Sequence, residues 1–350
     1  MKVAALEQEE LFVSGEGGCH TYRIPALAVT AGGAVLAFCE GRRNSRSDSG
    51  QIDLLLRRST DGGRTWSPPR VVVTEPGMTC GNPCPVVDAP GGRVWLPFCK
   101  NLADGPESLI IEGRAPRTVW ITHSDGDGES WSEPLEITAH VKAPEWTWYA
   151  TGPGHGIQLG SGRLVVPCDH IVGLHHDARR DPYHSHVILS DDGGESWRIG
   201  GIVDEGTNEC CVVETADGSL YLNARSYHGR KVRSGARSGD GGDSFEPRVC
   251  EEGLPEPVCQ GSLVSLASPG GPPTDRALFA NPASTEAREN LTLRATADGG
   301  RTWAVVRSLY EGPSAYSDLA VTAAGEILCL YERGADHPYE TLTLARFTLG

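Results

Sequence analysis

Apolar residues in this chain fall in short runs, and the runs come in pairs. Ala26, Leu27, Ala28 and Val29 lead through Gly32 and Gly33 to a second run, Val35 to Cys39, that ends on Glu40. The same unit recurs over 86–100, 157–169, 212–225, 263–281 and 319–332, with the turn of the fifth lengthened over 269–275. Runs of this length bounded by glycine predict β-hairpins. Their alternation is weak, as expected for strands covered on both faces.

An octapeptide is interleaved with the hairpins. It stands complete at Ser59, Thr60, Asp61, Gly62, Gly63, Arg64, Thr65, Trp66, and again over 190–197. Looser copies cover 124–131, with Gly126 in the Asp place, 238–245, with Phe245 for Trp, and 296–303, with Thr296 for Ser. The chemistry is that of a turn, in which an Asp side chain accepts backbone N–H bonds, glycine takes positive φ and the indole packs beneath. The copies begin at steps of 65, 66, 48 and 58 residues, close to the length of a four-stranded propeller blade. Hairpins and octapeptides in alternation predict an all-β fold, a six-bladed β-propeller formed by one domain over 1–350. In such a ring the polar ends of the hairpins converge at one mouth, here Glu40, Lys100, Asp169 with His170, Arg225, Asn281 and Glu332.

Composition narrows the partners. A formal charge of -15 argues against nucleic acid, whose binding needs a basic surface. The longest apolar stretch, 24–39, is broken by Gly32 and Gly33 and is too short to span a bilayer, so no membrane span is expected. The first ten residues hold only a short apolar run before Glu7, Glu9 and Glu10, which is unlike a signal peptide and points to a cytoplasmic protein, a secreted mature form being the alternative. Eleven cysteines without a CxxC pair read as reduced, buried side chains, with Cys80 and Cys84 the one pair worth a thiol assay. Five histidines between 170 and 186, with Asp177 and Asp181, lack the spacing of a helical metal site and read as a rim loop that brings Tyr183 near substrate. Trp146, Trp148 and Tyr149 read as a loop group that either packs or stacks on sugar.

Around the hairpin ends lie Tyr22-Arg23-Ile24-Pro25, Glu40-Gly41-Arg42-Arg43 followed by Asp48, the segment 152–156, Asn208-Glu209-Cys210, Arg225, Asn281 to Arg288, Ser314-Ala315-Tyr316-Ser317 and Tyr331-Glu332. With five Asp-box turns in order between them, nearly the whole chain resembles the exo-α-sialidases, or neuraminidases, of the bacterial and animal type. The resemblance implies a six-bladed propeller that hydrolyses terminal α-linked sialic acid of sialylated glycans with net retention, without metal or cofactor. It implies Arg23, Arg225 and Arg288 around the substrate carboxylate, Tyr316 as nucleophile, Glu209 as its base and Asp48 as acid and then base. Glu40 and Arg42 would flank the pocket, and Glu332 would hold Arg23 by an ion pair.

The chemistry suits the substrate. Guanidinium forks pair a carboxylate bidentately and fix its orientation. The anomeric carbon of sialic acid itself carries a carboxylate, so a carboxylate nucleophile would be repelled where a neutral phenol is not. The phenol then needs a base. Asp48 lies in a polar loop, 41–50, of the kind that closes on substrate. Transfer to another sugar, preference for a deaminated sialic acid, and an inactive sialic-acid-binding propeller are the rival readings; a propeller serving only as a protein platform would need no arginine cluster.

Overall fold

In the computed structural model, residues 1–173, 183–267 and 271–350 are described. The chain is all-β, with only two short helices among these residues, Glu107–Ile111 and Thr138–Val141. Every expected hairpin is formed as an antiparallel pair: Ala26 faces Phe38, Val86 faces Trp95, Ile157 faces Val165, Val212 faces Leu222, Leu263 faces Phe279 and Leu319 faces Cys329. Further strands extend these pairs into four sheets. One strand, Ala304–Val321, serves two strand groups, its first half pairing with Glu289–Thr296 and its second with Ile327–Arg333. The N-terminal strand Val3–Val13 lies beside the C-terminal strand Thr341–Leu349, with Val3 opposite Leu349.

The core is distributed between successive strand groups. Leu27 and Val35 pack with Leu328 and Leu344, while Val165 and Val187 pack with Val212 and Leu222. Both faces of an inner strand are therefore dry, as in Thr21–Val29, where eight of nine residues are buried. That is why period-two alternation is faint in the sequence.

The octapeptides are turns of the expected kind. Asp61 accepts N–H bonds from Arg64 and Thr65 at 3.0 and 2.9 Å, and Ser59 Oγ accepts that of Gly63 at 2.8 Å. The indole of Trp66 donates to the Gly63 carbonyl at 3.2 Å. Where Gly126 replaces the Asp, the serine bonds remain, Ser124 Oγ accepting from Gly126 N–H at 3.3 Å and Gly128 N–H at 2.9 Å. Arginines fasten neighbouring turns: Arg93 pairs with Asp125 and Glu195 at 2.6 and 2.7 Å, and Arg163 with Asp191 and Asp243 at 2.6 and 2.8 Å. All eleven cysteines are free thiols and only Cys250 is less than buried. No helix among the described residues is long and apolar enough to cross a membrane.

Two segments differ from the sequence reading. His170, His184 and His186 stand on the strands Leu164–Val172 and Tyr183–Ser190, and Trp146, Trp148 and Tyr149 on the strand Trp146–Thr151, so these six residues are not in loops. The His170 ring stacks on Trp146 at 3.6 Å, and burial pushes the His186 imidazole down to about 3, so these rings pack as neutral aromatics. His175, His176, Asp177 and Asp181 lie outside the described residues, as does part of the lengthened turn of the fifth hairpin.

Candidate active site

The site begins with two irregular strand ends. Pairing of Thr21–Val29 with Val35–Arg42 shifts register between Arg23 and Ala26, where Ile24 has φ of 58°. Pairing of Ala304–Val321 with Ile327–Arg333 shifts between Ser314 and Ser317. Each shift frees a backbone N–H from its ladder, as a bulge does. One fully buried carboxylate takes both: Glu332 accepts from Ile24 N–H at 3.0 Å and from Tyr316 N–H at 3.1 Å. It also accepts from Arg23 Nε at 3.0 Å and Nη2 at 3.3 Å.

Above this carboxylate lies a cavity of about 180 Å³. Arg23, Glu40, Arg42, Asp48, Glu209, Arg225, Arg288 and Tyr316 all line it. Eight of the nine residues picked from the sequence thus share one chamber, and Glu332 supports it from behind. The polar hairpin ends converge less completely. Glu40, Asp169 and Arg225 reach the cavity, but Lys100 turns to Glu75 at 2.8 Å and lies over the Trp120 ring. Asn281 is spent on buried bonds, accepting from Arg294 at 3.0 Å and donating to the Pro255 carbonyl at 2.9 Å, and His170 is stacked away. A strand end can face the channel or the neighbouring sheet, and its position in sequence does not say which.

Tyr316 and Glu209 are in direct contact, the phenol donating to Oε1 at 2.6 Å. Arg225 joins them, with Nη1 at 2.9 Å from Glu209 Oε2 and 3.2 Å from the phenol oxygen. Burial and the charge of Glu209 push the phenol well above its usual range, against the opposing pull of Arg225 and Arg288. The resting tyrosine is therefore a neutral phenol bonded to a base. Arg225 Nε is buried without a partner among the described residues.

Asp48 stands opposite, its side chain 62% exposed, between Arg42 Nη1 at 2.7 Å and Arg23 Nη1 at 3.3 Å. Burial acts to raise its pKa, but Arg42 and Arg23 outweigh that and hold the carboxyl below the usual range. Glu40 secures Arg42 with bonds of 3.0 and 2.7 Å and is itself capped by Asn82 N–H at 2.9 Å. Arg288 donates to the Tyr339 hydroxyl at 2.9 Å and makes no ion pair among the described residues. Its neighbour Arg294 is buried against Asn281 and does not line the cavity.

Other lining residues escaped the sequence reading. The Tyr227 hydroxyl accepts from Arg225 Nη2 at 2.7 Å, and its ring stacks on Tyr183 with centroids 4.8 Å apart. Its place two residues beyond Arg225 is the period-two signal that marks it. Arg117 opens the strand that pairs beside Lys100 and Asn101, so third strands also deliver residues to the mouth. Glu107, from the five-residue helix, is a further lining residue, and Trp148, left open in the sequence between packing and stacking on sugar, is in the same wall.

The chain is similar to known proteins of one family. The model of the BNR repeat-like domain matches residues 33–329. The exo-α-sialidase of Aspergillus fumigatus is 36% identical over 80% of this chain and 69% of its own length. Bovine sialidase-3 is 33% identical over 94% of this chain and 89% of its own. Among solved structures, the Hadza microbial sialidase Hz136 has a TM-score of 0.83 at 29% identity, covering 98% of this chain and 68% of that one. Fold and site define a glycoside hydrolase scaffold of the BNR-repeat class. Within it, the chain belongs to the exo-α-sialidase family.

Proposed function

We propose that this protein is a retaining exo-α-sialidase built as one six-bladed propeller over its whole length, acting on terminal sialic acid of sialylated glycans. The observation that carries the reading is the 2.6 Å contact of Tyr316 with Glu209 inside an arginine-lined cavity. Arg23, Arg225 and Arg288 receive the sugar carboxylate; Arg288, whose one bond here goes to the Tyr339 hydroxyl, has donors to give. Tyr316 oxygen attacks the anomeric carbon while Glu209 takes the phenol proton. The glycosidic oxygen leaves with a proton from Asp48, which later removes one from the water that displaces tyrosine, while Glu209 returns its proton to the departing phenol oxygen.

Asp48 must be protonated for the first step, although Arg42 and Arg23 favour its anion in the empty site. The arriving carboxylate neutralises part of that positive field, so substrate itself raises the Asp48 pKa. Leaving-group protonation is then switched on by occupancy.

The test is hydrolysis of a fluorogenic α-sialoside, with the product anomer read by NMR in the first minutes. Release of the α-anomer by wild type, and its loss in Tyr316→Phe, is expected. No turnover, or first-formed β-anomer, contradicts the proposal.

A further inference from the structure

Tyr316 and its two closest partners arrive from different sheets. Glu209 and Arg225 stand on neighbouring strands of one four-stranded sheet, Thr207–Glu214 and Leu220–Ser226, whereas Tyr316 stands on Ala304–Val321 in another. The contacts of 2.6 and 3.2 Å among them therefore cross a sheet boundary. Apolar packing fills that boundary, with Cys211 and Val213 against Leu263 and Phe279. Burial is non-directional, so it does not by itself fix such a spacing. Directional bonds do.

Residues 256–260 connect Val249–Pro255 to Ser262–Ser265 and so lead from the first sheet to the second. At the start of this connector, fully buried Glu256 accepts the Ser226 N–H at 2.7 Å and stands 2.9 Å from Ser226 Oγ. Pairing of Leu220–Ser226 with Val232–Ser238 has ended at Ala224 opposite Ser234, so Glu256 replaces the ladder beside Arg225. At its other end Gln260, 1% exposed, accepts the Ser317 N–H at 3.0 Å and donates to the Ser317 carbonyl at 2.9 Å and the Pro153 carbonyl at 3.2 Å. A side-chain amide thus holds the residue after Tyr316 as a neighbouring strand would. Between these ends Cys259 packs on Tyr316, and Arg233 Nη1 ties its carbonyl, at 2.6 Å, to Glu256 Oε2, at 2.8 Å. Val258 has φ of 60°, a conformation that a β-branched residue keeps only where its surroundings impose it. Neither Glu256 nor Gln260 lines the cavity. We propose that this connector is a spacer that sets the distance between Arg225 and Tyr316, with Glu256 and Gln260 as its positioning residues, each acting through the residue next to a group that meets substrate. The inference rests on the sialidase reading for the reaction it serves.

The experiment shortens or removes the two arms. Gln260→Asn keeps the amide but draws it back by one methylene. Glu256→Leu combined with Arg233→Met removes both charges together, so no buried ion is left unpaired. Gln260→Glu at about pH 5 is the conservative control, because a buried carboxyl is neutral there and keeps an acceptor and a donor for Ser317. Crystal structures give the separation of Arg225 Nη1 from the phenol oxygen, and kinetics on the fluorogenic α-sialoside give kcat and KM. In the first two variants the separation should widen by about 1 Å and kcat fall about a hundredfold. KM should change by less than about tenfold, since Arg23 and Arg288 still hold the carboxylate. Gln260→Glu should keep the wild-type separation and stay close to wild-type kcat. Either of the first two variants decides alone if the other does not fold. An unchanged separation, an unchanged kcat, a Gln260→Glu protein as impaired as Gln260→Asn, or activity lost only in step with folded protein by circular dichroism overturns the proposal. Absence of turnover in wild type would defeat the sialidase reading, while the separations still decide the spacer.

Discussion

Glu332 accepts the backbone N–H of Tyr316 at 3.1 Å while its other oxygen holds Arg23 Nε at 3.0 Å. One buried carboxylate therefore positions both the phenol and an arginine that faces substrate. Glu332→Gln keeps the shape and loses the charge that balances Arg23; a fall in kcat/KM of at least about tenfold is expected, with a folded protein. Glu332→Ala leaves buried Arg23 only its 3.3 Å contact with the exposed Asp48 and should lower stability by about 3–5 kcal/mol, measured by urea unfolding.

Glu209→Gln retains a bond to the Tyr316 hydroxyl but cannot take its proton. Loss of a general base lowers kcat by about 10²- to 10⁴-fold. Steady-state kinetics on the fluorogenic sialoside check this, with circular dichroism confirming the fold.

The Asp48 argument predicts a pH signature. The profile of kcat/KM reports the free enzyme, where Arg42 and Arg23 hold the carboxyl low, and that of kcat reports the occupied site. The alkaline limb of kcat should lie at higher pH than that of kcat/KM. Asp48→Ala should remove the limb and be partly rescued by a substrate whose leaving group needs no proton. Coincident limbs would count against substrate-induced protonation.

A second titration lies below the site. His155 Nδ1 stands 2.8 Å from Asp318 Oδ1, and Asp318 Oδ2 accepts the Leu27 N–H at 2.7 Å. Burial alone would lower the imidazole pKa, but the Asp318 charge and hydrogen bond outweigh it and raise it. A histidine whose folded pKa exceeds its unfolded value of about 6.5 contributes stability in full below that value, and loses it as pH rises through the folded pKa. The Tm advantage of wild type over His155→Gln should therefore be largest at mildly acid pH and shrink toward alkaline pH.

The octapeptide turns should matter for stability and not for chemistry. Gly194 has φ of 97°, and a Cβ there would meet Trp95 Nε1 at 2.0 Å. Gly194→Ala is expected to destabilise by at least about 1–3 kcal/mol from backbone strain, with the clash in addition, and to leave KM unchanged in the folded fraction.

Strand pairing was legible because each hairpin carries its own turn glycine between two apolar runs, and the octapeptide carries its own hydrogen-bond partners within eight residues. The site residues were legible only through separated motifs such as Tyr22-Arg23-Ile24-Pro25, since no local pattern joins Arg23 to Glu332. Lys100 and Asn281 were misplaced because strand-end polarity does not reveal which face a side chain takes. Arg117 and Glu107 were missed for a related reason: one opens a strand that pairs beside a hairpin and the other stands on a short helix, so only tertiary packing brings them to the cavity.

The central claim is that tyrosine becomes covalently attached to the sugar. A 2,3-difluorinated sialic acid has a good leaving group and a slowed second step, so it accumulates that adduct. Peptide mass spectrometry after brief incubation should find the fluorosialyl group on Tyr316 in wild type and nowhere in Tyr316→Phe. An adduct on a carboxylate such as Glu209, or none in an enzyme that turns over, would contradict the account.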